Sequence, residues 1–135
     1  MNDVKTAVSD IEDAFDASRY PADFLKKYDP LECLACSHGT ETLLVKQKDS
    51  AQLYVAKRYD KNLYSSVHES NILKSLYHSG LPAFADEFQS DAIACIVREY
   101  IDGKPLNRYI AENDPTHQDI IGIGVQLCDI LIYLH

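Results

Sequence analysis

The feature that most constrains the fold is LYVAKRYD, residues 53–60, because it combines the two-residue period of a strand with a lysine on the apolar side. Successive side chains of a strand alternate between faces, so Leu53, Val55 and Lys57 share one face and Arg58 lies on the other. An unpaired ammonium is costly to bury. Either Lys57 reaches solvent along its stem, or another element brings a carboxylate to it. The sequence therefore predicts a strand whose lysine needs a partner in the core.

Composition indicates an ordinary globular chain. A length of 135 residues suits one domain, and a net charge of −8 with 13 Lys and Arg argues against a nucleic-acid partner. The most apolar stretch, Ile120–Leu134, is interrupted by Gln126 and Asp129 and is short for a membrane span. The start of the chain lacks the pattern of a signal peptide. We expect a cytoplasmic protein with no membrane segment.

Four cysteines are present, and two of them form a C-x-x-C at Cys33 and Cys36. A structural zinc site needs a second ligand pair at suitable spacing, which the sequence does not supply. A redox C-x-x-C usually opens a helix after a strand, whereas this one precedes a turn-like SHGTET. We expect reduced cysteines that pack within the fold, with metal or redox chemistry as the alternative.

The order of the elements indicates an α+β fold. Strands are predicted at 30–36, 40–47, 51–59, 83–88 and 92–101, and the second and third are joined by the polar turn KDSA. A helix begins near Ser65 or Ser66 and ends by Gly80. An acidic amphipathic helix is predicted at 3–16, and two helices are predicted at 106–113 and 116–135. We divide the chain into an acidic helical extension (1–27), a sheet domain (28–101) and the start of a helical domain (102–135).

Glu69 is the candidate partner of Lys57. It lies on the apolar face of its helix, with Ile72, Leu73 and Leu76, as Lys57 lies on the apolar face of its strand. Packing the helix on the sheet would therefore bring the two charges together, and pairing would offset the burial of each. Two alternatives remain: SVHE has the form of a capping box, in which Glu69 bonds to the backbone, and Lys57 extends to solvent.

Four segments in order, LYVAKRY, HESNILKSLYHSGLPAFADEF, IACIVREYIDGKPL and LIYLH, resemble the protein kinase family from about residue 30 to the last residue. The resemblance implies a kinase N-lobe, with a five-stranded antiparallel sheet and one flanking helix, followed by two C-lobe helices. It implies that Lys57 binds the α- and β-phosphates of ATP and that Glu69 fixes Lys57. It also implies that Val55 packs on adenine and that the Glu99 carbonyl and the Ile101 N–H bond to the adenine edge.

Two features depart from the family. Its glycine-rich loop would fall on Ala35, Ser37, Thr40 and Thr42, and the nearby Gly39 lies one position before the third expected glycine. The hydroxyls of Ser37 and Thr42 remain candidate phosphate contacts. Arg98 precedes the hinge where the family usually has an apolar or medium-sized residue. We expect it to compete for Glu69, or else to extend to solvent from the strand end.

The sequence contains no H-R-D-x-x-x-x-N and no D-F-G, so it lacks the catalytic base and the Mg²⁺ ligands of the family. We therefore expect the N-terminal portion of a serine/threonine kinase that uses ATP and Mg²⁺ in full-length form and is catalytically incomplete in this chain. The alternatives are a pseudokinase-type binding module and an unrelated α+β protein. We also expect a homodimer through the apolar helix at 116–135.

Overall fold

The computed structural model describes residues 15–63 and 69–135, without the side chains of residues 69 and 70. The predicted helix at 3–16 lies outside these residues, except for Phe15 and Asp16. Asp16 caps a 3-10 helix at Ala17–Arg19, since its side chain accepts a hydrogen bond from the Ser18 N–H at 3.0 Å.

The predicted sheet is confirmed as five antiparallel strands in the order β1-β2-β3-β5-β4. These are β1 Tyr28–Ser37, β2 Thr40–Gln47, β3 Leu53–Asp60, β4 Phe84–Gln89 and β5 Ile93–Glu99. The helices of the described residues are α1 Ala22–Lys27, α2 Glu69–Lys74, α3 Leu106–Asn113 and α4 His117–Leu134. The α+β class predicted from the sequence is thus confirmed.

The prediction that the helix after β3 includes Leu76 is wrong. Helix α2 ends at Lys74, and Tyr77 lies beyond it with 86% of its surface exposed. The Ser75 N–H and the Ser75 hydroxyl both donate to the Ile72 carbonyl, at 3.1 and 2.8 Å. A serine side chain that competes for backbone carbonyls favours the end of a helix, and the i to i+3 bond tightens the last turn.

The larger core lies on the face of the sheet that carries Arg58, and an aromatic layer covers it. This aromatic layer consists of Tyr20, Phe24 and Tyr28, which are 6%, 0% and 2% exposed. Their rings follow one another at 5.4 and 5.6 Å between centroids, and Phe88 meets Phe24 edge-on at 5.8 Å. The sheet residues beneath them are Leu43, Val45, Ala56, Cys95 and Val97.

A smaller core lies on the opposite face, which carries Lys57. Tyr59, Ala94 and Ile96 are buried there, with Leu73 of α2 and Phe84 packed against them. The sequence placed the core on the Lys57 face, which is correct only for this smaller cluster. Strand β3 is therefore covered on both sides, because α1, which the sequence analysis did not predict, packs on the other face.

The cysteine prediction is wrong for three of the four residues. Cys95 is buried within the larger core, whereas Cys33, Cys36 and Cys128 are exposed, and all four are free thiols. Burial raises the pKa of the Cys95 thiol to about 12. Cys33 and Cys36 lie on β1, an edge strand whose residues 32–37 are exposed on both faces.

The described residues form two compact units, and the second comprises residues 76–82 and 101–135. Its helix α4 begins with a capping box, in which Thr116 and Asp119 bond to each other's backbone at 3.2 and 2.9 Å. The Tyr133 hydroxyl accepts a hydrogen bond from the Tyr77 N–H at 2.7 Å, and His78 contacts Asp129 at 3.1 Å. The loop at 76–82 is thereby fixed to α4.

Helix α4 exposes apolar side chains on much of its surface. Ile120, Val125, Leu131 and Ile132 are 54%, 63%, 54% and 77% exposed. None of the helices in the described ranges is long and apolar enough to span a bilayer.

Candidate functional site

Lys57 occupies the middle of β3, between two neighbouring strands. Its Cα partners are Thr42 on β2 and Ile96 on β5. Cross-strand partners project from the same face, so Thr42 and Lys57 present their side chains together, opposite the aromatic layer. We call this face, with Thr42, Val55, Lys57 and Arg98, the Lys57 face.

Lys57 is half-buried, and its ammonium lies 5.1 Å from the centroid of the Tyr59 ring. This cation–π contact places the charge over a buried aromatic residue of the same strand face. The side chain of Glu69 lies outside the described part of the chain, although its backbone begins the described turn of α2. The Lys57–Glu69 ion pair therefore stays a prediction.

Val55 and Arg98 form the next pair on this face. They are Cα partners in the β3–β5 ladder, Val55 is 5% exposed and Arg98 is half-buried. The structure thus brings Val55, which is predicted to pack on adenine, next to Arg98, which is predicted to precede the hinge. Phe84 of β4 is the other Cα partner of Arg98.

The turn between β1 and β2 is a tight hairpin. Ser37 and Thr40 are Cα partners, so only His38 and Gly39 form the loop, and Gly39 has a φ of 78°. A left-handed φ is the conformation in which a glycine is favoured. The Ser37 and Thr40 hydroxyls are hydrogen-bonded to each other at 2.6 Å. The two predicted phosphate contacts thus differ in their position relative to Lys57. Thr42 lies beside Lys57, whereas Ser37 lies at the end of the hairpin.

The predicted hinge residues lie at and just after the end of β5. Glu99 is exposed, its N–H donates to the Ala83 carbonyl at 2.8 Å, and its carboxylate accepts from the Ala83 N–H at 3.0 Å. These bonds fix the last residue of β5 to the start of β4. Ile101 follows in the second unit, with 55% of its surface exposed.

Sequence reasoning missed a charged cluster on the opposite face of the same strands. The Tyr20 hydroxyl donates to the carboxylate of Glu41, and Glu41 is the Cα partner of Arg58. Arg58 is 3% exposed. The sequence feature that could have indicated this cluster is Arg58, which shares its strand face with Tyr54 and Ala56. Its neighbours Tyr20 and Glu41 are too distant in sequence to be identified from the pattern.

Comparison with known proteins agrees with this geometry. No protein-family model matches the chain. Serine/threonine-protein kinase 36 of Pongo abelii is 26% identical over 117 residues, which are 82% of this chain and 9% of that protein. The protein of the same name from Mus musculus is 25% identical with the same coverage. This chain therefore spans only 9% of the length of these relatives.

The solved structures give the same result for the fold. The crystal structure of Rad53 1-466 in complex with AMP-PNP matches with a TM-score of 0.61 and 15% identity, over 71% of this chain and 26% of that one. The chain thus contains a protein-kinase-like N-lobe, as the order of its motifs predicted.

Proposed function

We propose that this chain is the N-terminal portion of a protein kinase that, in full-length form, transfers the γ-phosphate of ATP to Ser and Thr hydroxyls of proteins. The observation that carries this proposal is the place of Lys57. It lies in the central strand of a kinase-like sheet, beside Thr42, on the face against which Leu73 of α2 packs. A cation at that point is suited to the phosphates of a nucleotide.

The family resemblance supplies the proposed nucleotide contacts, and the position of Val55, Lys57 and Thr42 on one face of the sheet supports them. Val55 supplies an apolar surface for the adenine, and Lys57 supplies the charge for the α- and β-phosphates, with Glu69 as its support. Thr42 adds a hydroxyl beside Lys57, and Ser37 adds one at the hairpin end. The Glu99 carbonyl and the Ile101 N–H would bond to the adenine edge.

The described residues fit the nucleotide better than they fit its metal ion. The Lys57 face offers a cation, a hydroxyl and an apolar side chain, which match phosphate and base. By contrast, no group of three His, Cys, Asp or Glu side chains in the described ranges is arranged to hold a metal ion. We therefore assign the Mg²⁺ ligands and the catalytic base to the remainder of the full-length protein.

A second candidate is a binding module of the pseudokinase type. We propose the cytoplasm as the compartment for both candidates. The binding module is favoured by the β1–β2 hairpin, where the Ser37 and Thr40 hydroxyls bond to each other and side chains occupy all the family's glycine positions. Side chains there hold the backbone away from phosphate oxygens, which weakens a phosphate-binding loop.

Nucleotide binding distinguishes the two candidates. We expect the 135-residue chain to bind a fluorescent ATP analogue saturably in the presence of Mg²⁺. Lys57→Met should raise the Kd by about tenfold or more, because it removes a charge-assisted contact to phosphate. Lys26→Met is the matched control, because Lys26 is an exposed lysine of α1 whose side chain is 77% accessible.

The result that favours the binding module is a folded wild-type chain with no saturable nucleotide binding. Catalysis is tested separately, by reading the gene downstream of codon 135 for H-R-D-x-x-x-x-N and D-F-G. Phosphate transfer from labelled ATP by the full-length protein, and its loss in the Lys57→Met protein, would then establish the kinase reaction.

Self-association is the remaining part of the proposal. The exposed apolar residues of α4 would be buried in a homodimer of this chain. Light scattering at micromolar concentration should give about twice the monomer mass, and Ile132→Glu should restore the monomer. A monomeric wild-type chain would contradict this part alone.

A further inference from the structure

Three side chains on the face of the sheet opposite Lys57, which we call the outer face, connect the segment before β1 to the strands that carry Thr42 and Lys57. The hydroxyl of Tyr20 donates a hydrogen bond to Oε1 of Glu41, on β2. Its ring centroid lies 5.7 Å from the guanidinium carbon of Arg58, on β3. Glu41 and Arg58 are Cα partners in the β2–β3 ladder. We call Tyr20, Glu41 and Arg58 the latch.

The latch holds a charge that the sheet alone would not keep buried. Arg58 is 3% exposed, and its Nε has no hydrogen-bond partner among the described residues. A buried guanidinium is strongly destabilising unless it is paired, and removal of one partner leaves an uncompensated charge. Tyr20, which is 6% exposed, lies with its ring against the guanidinium, and its hydroxyl donates to the carboxylate of Glu41, the cross-strand neighbour of Arg58. Burial, and next the hydrogen bond to Glu41, raise the pKa of the Tyr20 hydroxyl, so it remains a donor.

Each latch residue on the strands has a nucleotide-site residue as its sequence neighbour. Glu41 precedes Thr42 on β2, and Arg58 follows Lys57 on β3. Neighbouring side chains of a strand point to opposite faces, so a rotation of β3 that brings Arg58 to water also turns Lys57. The charge on one face and the lysine on the other are therefore parts of one rigid strand.

We propose that Tyr20, Glu41 and Arg58 are positioning residues that fix the orientation of Lys57 and Thr42 for nucleotide binding. The inference deepens the proposed function and rests on it. When Tyr20 leaves the latch, the buried charge of Arg58 is relieved by movement of β3, and the Lys57 face loses its geometry. The segment at residues 15–27 thereby controls nucleotide affinity from the opposite side of the sheet.

Tyr20→Phe is the direct test, because it removes the hydroxyl and keeps the ring. The matched control is Tyr28→Phe, since Tyr28 belongs to the same aromatic layer and is 2% exposed, but its hydroxyl contacts Asp86 on β4 at 3.4 Å. The two measurements are the Kd for the fluorescent ATP analogue and hydrogen exchange of the peptide at 53–60, both under conditions where circular dichroism shows folded chains.

We expect Tyr20→Phe to raise the Kd by about fivefold and to accelerate exchange at 53–60, as typical coupling between two sites of a domain would give. Tyr28→Phe should leave both at wild-type values. Unchanged affinity with Tyr20→Phe would overturn the positioning role, whether or not exchange changes. A general loss of stability is recognised separately, because it would accelerate exchange in β4 at 84–89 as well.

Failure of the proposed function gives a different result from failure of the latch. If wild-type chain binds no nucleotide, the exchange measurement still tests the latch, since it needs no ligand. Should Tyr20→Phe fail to fold, the test moves to an Arg58→Met background, where the buried charge is absent and folding is expected to be retained. On that background, Tyr20→Phe should no longer change exchange at 53–60, and an undiminished change would overturn the role of Arg58.

Discussion

The aromatic layer predicts that a residue outside the sheet is essential to the stability of the sheet. Phe24 is fully buried, and its ring contacts Tyr20, Tyr28 and Phe88 at centroid distances of 5.4, 5.6 and 5.8 Å. Replacing a buried phenylalanine with alanine costs about 3–5 kcal/mol, and each aromatic pair contributes roughly 0.5–1.5 kcal/mol beyond its buried area. We expect Phe24→Ala to lower the free energy of unfolding by about 4 kcal/mol.

A loss of that size is a large share of the stability of a domain, which is about 5–15 kcal/mol in total. The assay is urea unfolding of the 135-residue chain, followed by tyrosine fluorescence, because the chain has 9 tyrosines and no tryptophan. The midpoint should fall while the slope with urea stays the same, which would show a change in stability and not in the surface exposed on unfolding.

Phe24→Leu is the control, because it keeps most of the side-chain volume. We expect it to cost about 1–1.5 kcal/mol, as volume-conserving substitutions in a core do. If Phe24→Ala cost less than about 1 kcal/mol, the layer would not contribute to the core. In that case residues 15–27 would be dispensable to the sheet, and the predicted domain start at residue 28 would be the better boundary.

Three further predictions follow from burial and charge. Iodoacetamide applied to the folded chain should modify the three exposed cysteines within minutes and leave Cys95 unmodified until unfolding, as mass spectrometry of digested protein would show. Burial raises the pKa values of Tyr20 and Tyr28 above their ordinary value of 10.0. The stability that the two neutral hydroxyls provide is therefore complete below pH 10 and is lost as the pH rises beyond it. Replacing both residues by phenylalanine should flatten the decline of the urea midpoint of unfolding above that pH. A Cβ at Gly80 would lie 2.6 Å from Cδ1 and 2.7 Å from Cγ1 of Ile130, so Gly80→Ala should destabilise the helical unit by about 1 kcal/mol. Ile130→Ala removes both carbons, so in thermal unfolding Gly80→Ala should cost much less on the Ile130→Ala background than alone.

The sequence predicted the sheet well because its signals are local. Alternation of apolar and polar residues, the KDSA turn and the apolar pattern of the helix predicted at 116–135 each act over short stretches, and the structure has strands, a hairpin and a helix at these places. The order of the motifs then identified the kinase-like lobe, which no single motif would have done. The sequence proposed Thr42 only from the alignment of the family's glycine-rich loop, and the structure shows that it is the Cα partner of Lys57.

The packing of the outer face was not predictable in the same way. Helix α1 has six residues, begins after Pro21 and shows too few turns for a helical period to be recognised. Its burial depends on contacts with Phe88, more than sixty positions away, and with the strands. The latch was hidden for the same reason, since Tyr20 and Glu41 are distant in sequence and only the tertiary fold joins them.

The two faces of β3 explain why a kinase-like strand carries consecutive charged residues, Lys57 and Arg58. In a strand with one solvated face, Arg58 would extend into water and nothing would tie it to its neighbour. Here the aromatic layer buries Arg58, which is 3% exposed, while Lys57 projects from the other face. The free-energy cost of burying the guanidinium therefore depends on Tyr20 and on Glu41, to which Tyr20 is hydrogen-bonded. Because one backbone segment bears both charges, the burial of Arg58 constrains the direction of Lys57. Any change that displaces residues 15–27 from the sheet is therefore expected to alter the proposed nucleotide site without contacting it.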